Sequence, residues 1–79
     1  TFLYSKGAKG FKLIKSEKLS DKNISIDLTN CKNKSKDNIY AIKINKIAFR
    51  KLKGRTISIV QGSKRIDLAL WNNYYEFIL

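Results

Sequence analysis

The sequence contains no histidine, no proline and no methionine, and it has one cysteine, Cys31, among 79 residues. Without histidine, the usual zinc-binding sets cannot be assembled within one chain. A lone cysteine cannot form an internal disulfide, so we expect Cys31 to be a free thiol. We expect no metal or other cofactor. The chain also lacks an apolar run of the about 20 residues that a transmembrane helix needs, and it lacks a signal-peptide pattern.

Acidic residues are few, and the six that occur stand singly along the chain. General acid–base catalysis commonly uses histidine, or two carboxylates with differently tuned pKa values, and no such pair is indicated here. The serines match no nucleophile-elbow pattern, and the glycines match neither a phosphate-binding loop nor a dinucleotide fingerprint. We therefore expect a protein that is not an enzyme.

Basic residues, by contrast, number seventeen, and they give the chain a formal net charge of +11. Isoleucine outnumbers valine eleven to one, which is typical of an AT-rich coding sequence and accounts for abundant lysine. That bias does not account for the shortage of acids. A charge imbalance of this size predicts attraction to a polyanion such as nucleic acid, anionic lipid or an acidic wall polymer.

The length and the 43% hydrophobic content indicate one folded domain with a thin core. No repeat or linker-like stretch divides the chain, so we predict a single small basic β domain over residues 1–79. Because the sequence starts with Thr1 rather than Met, we expect a processed chain or one excised from a longer protein.

Alternation of apolar and polar residues predicts strands along most of the chain. The predicted strands cover residues 10–19, 24–29, 39–44, 55–60, 65–71 and 74–79. The strand at 39–44 is apolar on most of both faces and is expected to be central. The last three should form an antiparallel meander, with Gly62 in one turn and Asn72-Asn73 in the other. Residues 30–38 are predicted to be a mobile polar loop.

A short helix is predicted between these halves, because Ala48, Phe49 and Leu52 lie three or four residues apart. Asn45 is the expected N-cap, and Gly54 lies just past the expected end. The fold class predicted is thus mainly β: a small antiparallel domain, either a barrel or a two-layer sandwich, of five or six strands with a C-terminal meander and one short helix.

Cations close to aromatic residues are the candidate binding site, because lysine and arginine neutralise phosphates while rings stack on bases. Strand alternation places Tyr75 in the core and leaves Trp71 and Tyr74 as candidates for exposure. Two other interpretations stay open: cations at the helix end stabilise its dipole, and the rings are ordinary packing. The predicted nucleic-acid-binding residues are Arg50, Lys51, Lys53, Arg55, Lys64, Arg65, Trp71 and Tyr74.

Two resemblances accompany this pattern. The segment from Leu52 to Leu79 resembles the strand-loop-strand-turn-strand pattern of Sm-like RNA-binding folds, with Asn72 and Glu76 at the family's Asp and Asn positions. The segment "IKINKIAFRKLKGRTISIVQGSKRIDLAL", which begins at Ile42, is similar to small β-modules of Gram-positive surface proteins. The first resemblance implies RNA binding, and the second implies a module of a larger envelope protein.

The function expected from the sequence is a non-catalytic binding domain for a polyanionic partner, above all single-stranded nucleic acid, either RNA or DNA, in the cytoplasm. The alternative is an extracellular or cell-surface β-module that contacts another protein or an anionic wall polymer. What precedes Thr1 would separate them, since a signal sequence and further β-modules would favour the surface module.

Overall fold

Strands make up most of the chain, and one short helix interrupts them. The computed structural model describes residues 1–20, 22–32 and 34–79. Over these ranges the elements are β1 (Phe2–Gly7), β2 (Gly10–Ser16), β3 (Ser25–Asp27), β4 (Ile39–Lys43), α1 (Lys46–Leu52), β5 (Thr56–Gln61), β6 (Lys64–Ala69) and β7 (Tyr74–Ile78). The prediction of a mainly β domain is confirmed, with seven strands in the described ranges rather than five or six.

These strands form two sheets. The first has four antiparallel strands in the order β2-β1-β4-β7. The second has three strands in the order β3-β5-β6, in which β3 and β5 are parallel and β5 and β6 form an antiparallel hairpin. Strand β4 lies between β1 and β7 with its middle residues buried, as expected of a central strand.

One hydrophobic core lies between the sheets, so the fold is the two-layer alternative. The four-stranded sheet contributes Leu3, Tyr40, Ile42 and Phe77, and the three-stranded sheet contributes Ile26, Ile57 and Ile59. The rings of Tyr40 and Phe77 stack with centroids 5.9 Å apart and an interplanar angle of 24°. Burying apolar side chains contributes about 25 cal/mol per Å² of apolar surface removed from water, which makes this layer the main stabilising feature.

The predicted C-terminal meander differs from the structure in its last strand. Strands β5 and β6 are a hairpin, but β7 crosses to the other sheet and pairs with β4. Asn72 and Asn73 accordingly form no tight hairpin turn, since Asn38 (φ 57°) is the non-glycine residue with positive φ in the described chain. The strand pattern gave the faces of β7 correctly and its partner incorrectly, because alternation carries no information about pairing.

The N-terminal hairpin contains a strand that the sequence analysis missed. The predicted strand at 10–19 exists as β2 but ends at Ser16, and β1 precedes it. A β-bulge opposite Leu3 and Tyr4 inserts Ile14 into β2, where it packs against the core. The bulge leaves Leu13 exposed on the opposite side of the sheet.

Helix α1 begins and ends as predicted. The side-chain oxygen of Asn45 accepts a hydrogen bond from Ala48 N at 2.8 Å, and Leu52 is buried against the core. Past the helix, Gly54 has φ +84°, a conformation that favours glycine. No helix in the described part of the chain is long and apolar enough to cross a membrane.

Candidate polyanion-binding surfaces

The cations at the end of α1 lie beside an exposed ring. Arg50 and Lys51 are in the last helical turn, and Lys53 is the C-cap. A Cβ atom placed on Gly54 would lie 3.6 Å from Cη2 of Trp71, so the indole covers this glycine. The indole is nevertheless 64% exposed. The structure therefore brings Trp71 next to the helix end.

Lys64 and Arg65 lie elsewhere, at the far end of the β5–β6 hairpin. Gln61 pairs with Lys64 beside the turn, whereas Thr56 pairs with Ala69 next to Arg55. Five residue steps of strand, about 17 Å, separate the two ends. The eight predicted residues are thus distributed over separate surfaces rather than collected in one site.

The charge of Arg65 is already compensated. Its Nε lies 3.1 Å from Oδ1 of Asp67, and its Nη2 donates to Ser58 Oγ at 3.1 Å. Two hydrogen bonds lower the pKa of Asp67. The first comes from the hydroxyl of Ser58 and the second from the guanidinium of Arg65. Asp67 faces outward on β6 while Leu68 packs against the core, so the predicted register of this strand is confirmed.

Tyr74 belongs to a third surface, the outer face of the four-stranded sheet, where it is 45% exposed. It pairs with Lys43 of β4, and its hydroxyl donates to Oε1 of Glu76 at 3.1 Å. Partial removal from water, followed by the hydrogen bond and the charge of Glu76, raises the pKa of Tyr74. The predicted exposure of Trp71 and Tyr74 is confirmed, and so is the position of Tyr75 against the core.

A further concave basic surface does not include any of the eight predicted residues. A groove of about 730 Å³ runs between the β1–β2 hairpin and the loop at 34–37. Five lysines and one carboxylate line it: Lys6, Lys9, Lys12, Lys34, Lys36 and Asp37. We call it the lysine groove. Lysines around a concavity focus a positive potential, which attracts a chain of phosphates.

The wall of this groove is held by hydrogen bonds of a buried serine. Ser35 Oγ donates to the carbonyl of Lys6 at 2.8 Å and accepts from the backbone N–H of Ile39 at 3.2 Å. The N–H of Ser35 donates to the hydroxyl of Tyr40 at 3.3 Å. The predicted polar loop is therefore attached to β1 and β4 at this serine. Asn33, which the predicted loop includes, lies outside the described residues.

Two signals in the sequence could have indicated the lysine groove. Lysine recurs at every third position from Lys6 to Lys18, and Gly7 and Gly10 bracket two residues, as in a hairpin turn. A hairpin there places lysines on both of its arms. Because alternation does not predict β1, however, the sequence pattern alone places no second arm beside β2.

Among residues 1–20, 22–32 and 34–79, no group of three or more potential metal ligands occurs. Comparison of the chain with protein-family models, with curated proteins and with solved structures found no match.

Proposed function

We propose that this domain is a non-catalytic binding module for a polyanion, and that the polyanion is single-stranded nucleic acid. The observation that carries the proposal is the lysine groove, whose lining includes five lysines and one carboxylate. Asp37 and, through its attraction to Lys34, Asp27 offset part of this charge, whereas Asp67 is paired with Arg65. Phosphate groups would supply the missing negative charge.

Exposed aromatic rings favour nucleic acid over a polyanion without bases. Phe11 lies next to the groove, with its ring centroid 5.9 Å from Lys6 Nζ. A cation and a ring in contact match a nucleotide, which offers a phosphate and a flat base. An acidic wall polymer would use the lysines alone.

Salt-dependent binding of a fluorescein-labelled oligothymidylate of about 12 nucleotides, followed by fluorescence anisotropy, tests the proposal. For single strands the log–log slope of affinity against salt is about −0.7 per neutralised phosphate. Changing Lys9, Lys12 and Lys36 to glutamine should therefore flatten the slope by about two units. Changing Arg50, Lys51 and Lys53 to glutamine is the matched control, since it removes the same charge from the helix end.

Each result of this experiment has a defined meaning. A flatter slope in the groove variant and a small change in the control support binding at the groove. Equal losses in both variants would mean diffuse attraction to the net charge. Absence of measurable binding by the unmodified domain near 0.1 M salt would overturn the proposal and favour a cell-surface module.

A further inference from the structure

The outer face of the four-stranded sheet presents aromatic side chains in register. Leu3 and Ser5 of β1 are buried. Because side chains alternate along a strand, Phe2, Tyr4 and Lys6 lie on the opposite, outer side. In the first row, Phe2 pairs with Ser16 of β2 on one side and with Lys43 of β4 on the other, and Lys43 also pairs with Tyr74 of β7. In the next row Leu13, Tyr4, Ala41 and Glu76 lie side by side.

The third row lies at the lysine groove. Phe11 pairs with Lys6, and Ile39 pairs with Ile78. Lys6 and Ile39 also line the lysine groove, so the groove and this face share an edge. We call these three rows the outer face. It holds four rings: Phe2 and Tyr4 lie about 7 Å apart along β1, Phe11 is diagonal to Tyr4 on β2, and Tyr74 is two strands, about 10 Å, from Phe2.

Apolar exposure is concentrated on this face. Five of the seven large hydrophobic residues that are exposed in the described chain belong to it: Phe2, Phe11, Leu13, Tyr74 and Ile78. At the centre of the face Ala41 is 1% exposed, since longer side chains of neighbouring strands flank it. Exposed apolar side chains that concentrate on one face are typical of an interaction surface.

The opposite layer shows that this exposure is not general. Alternation along β5 and β6 turns Ser58, Val60, Arg65 and Asp67 outward on the three-stranded sheet. This second surface is polar, and a guanidinium, a carboxylate and a hydroxyl are joined on it by hydrogen bonds. The two layers share one core, and among the residues described only the strands of the four-stranded layer expose rings on their outer side.

The charge of the outer face indicates which partner fits it. Lys6 and Lys43 stand among the rings, and Lys6 Nζ lies 5.9 Å from the centroid of Phe11. The carboxylate of this face, Glu76, accepts a hydrogen bond from Tyr74. Cations interspersed with rings suit a strand that alternates phosphates and bases, and exposed rings on a four-stranded sheet are an established means of binding single-stranded RNA.

We propose that the outer face of the four-stranded sheet is a base-stacking platform for single-stranded nucleic acid, whose phosphates continue into the lysine groove. This inference rests on the proposed function and assigns it a surface. Phe2, Tyr4, Phe11 and Tyr74 supply the stacking rings, while Lys6 and Lys43 lie beside the backbone of the bound strand.

Substitution of rings by leucine tests the platform, because leucine keeps the face apolar but cannot stack on a base. The variant Phe11→Leu/Tyr74→Leu should bind the labelled oligothymidylate at least about 10-fold more weakly at every salt concentration, since stacking on one ring is worth about that factor. Binding of inorganic polyphosphate, which has no bases, should stay within about 2-fold of the unmodified domain. Trp71→Leu is the control for loss of an exposed ring elsewhere.

Titration of the unmodified domain by NMR gives an independent result if the double variant folds poorly. Bound oligothymidylate should shift the aromatic signals of Phe2, Tyr4, Phe11 and Tyr74 more than that of Phe49, which packs against the core.

If the unmodified domain binds, but the double variant binds equally well and these signals do not move, the platform is overturned while the proposed function stands. If the unmodified domain binds polyphosphate and oligothymidylate equally, or binds neither, the proposed function fails together with the platform. Concentration-dependent shifts without nucleic acid would identify a second copy as the occupant and overturn the platform.

Discussion

Individual hydroxyl groups hold the segments that connect the two sheets. The ring of Tyr75 packs against the core, and its hydroxyl donates to the carbonyl of Ala69 at 2.7 Å and accepts from Asn72 N at 2.8 Å. It thereby fixes the link through which the chain passes from β6 to β7. Ser35 does the same for the wall of the lysine groove. Neither role is visible in the alternation pattern, which gives the face of a residue but not its hydrogen-bond partners.

Two carboxylates on the three-stranded sheet make stability depend on pH. Hydrogen bonds from the side chain and then the backbone of Thr29 lower the pKa of Asp27, and those from Ser58 and Arg65 lower that of Asp67. Because both folded-state pKa values lie below the ordinary value of 3.8, the unfolded chain takes up protons first as the pH falls. This stabilisation is complete above that value and is lost as the pH falls through the folded-state pKa.

Urea unfolding at pH 6 and pH 3 measures this loss. The variant Asp27→Asn/Asp67→Asn should lose less unfolding free energy between these pH values than the unmodified domain. Asp37→Asn is the control, because it removes a carboxylate from the lysine groove and leaves both hydrogen-bonded carboxylates in place. An equal loss in the double variant and the unmodified domain would contradict the assignment.

At the scale of elements, α1 depends on its caps because it has only seven residues. An isolated helix this short is not stable in water, so packing of Leu52 and the hydrogen bond from Ala48 to Asn45 must maintain it. Asn45→Ala should lower the unfolding free energy by about 1 kcal/mol, whereas Asn45→Asp should leave it nearly unchanged, since aspartate caps equally well. Thermal or urea unfolding of both variants provides the comparison. Equal destabilisation by both would show that the cap is not the reason.

The elements also show what could be predicted from the sequence. Helix α1, its Asn45 cap and the faces of β6 and β7 follow from local spacing, and they were predicted. The partner of β7 did not follow, because β7 pairs with β4 through residues far apart in sequence, such as Tyr40 and Phe77. Strand β1 was missed because Phe2, Leu3 and Tyr4 are continuously apolar and show no alternation. Alternation is absent from β1 because Phe2 and Tyr4, which face outward, are aromatic rather than polar. The rings that make up the candidate platform are therefore the reason that the strand was missed.

At the scale of the whole molecule, the fold separates its surfaces by chemistry. One outer layer is polar and internally hydrogen-bonded, the other combines rings with lysines, and the lysine groove lies at the edge of the latter. Trp71 and Tyr74, predicted as parts of one site, lie on different surfaces. Alternation therefore predicted that both rings are exposed, but not that they lie on different surfaces.

The net charge of +11 should make the stability of the domain rise with salt. Ion pairs between described residues include Lys15–Glu17 and Arg65–Asp67, but five lysines around the lysine groove repel one another in the folded state. Salt screens such repulsion over about 10 Å at 0.1 M. We expect the melting temperature to rise by about 4–8 °C between low salt and about 0.5 M sodium chloride, the shift that about 1 kcal/mol produces in a domain of this size.

Changing Lys9, Lys12 and Lys36 to glutamine should raise the melting temperature at low salt and reduce the further rise. A melting temperature that falls with salt would mean that attractive pairs outweigh the repulsion, and the lysine groove would then lack the unbalanced positive charge on which binding of a phosphate chain depends.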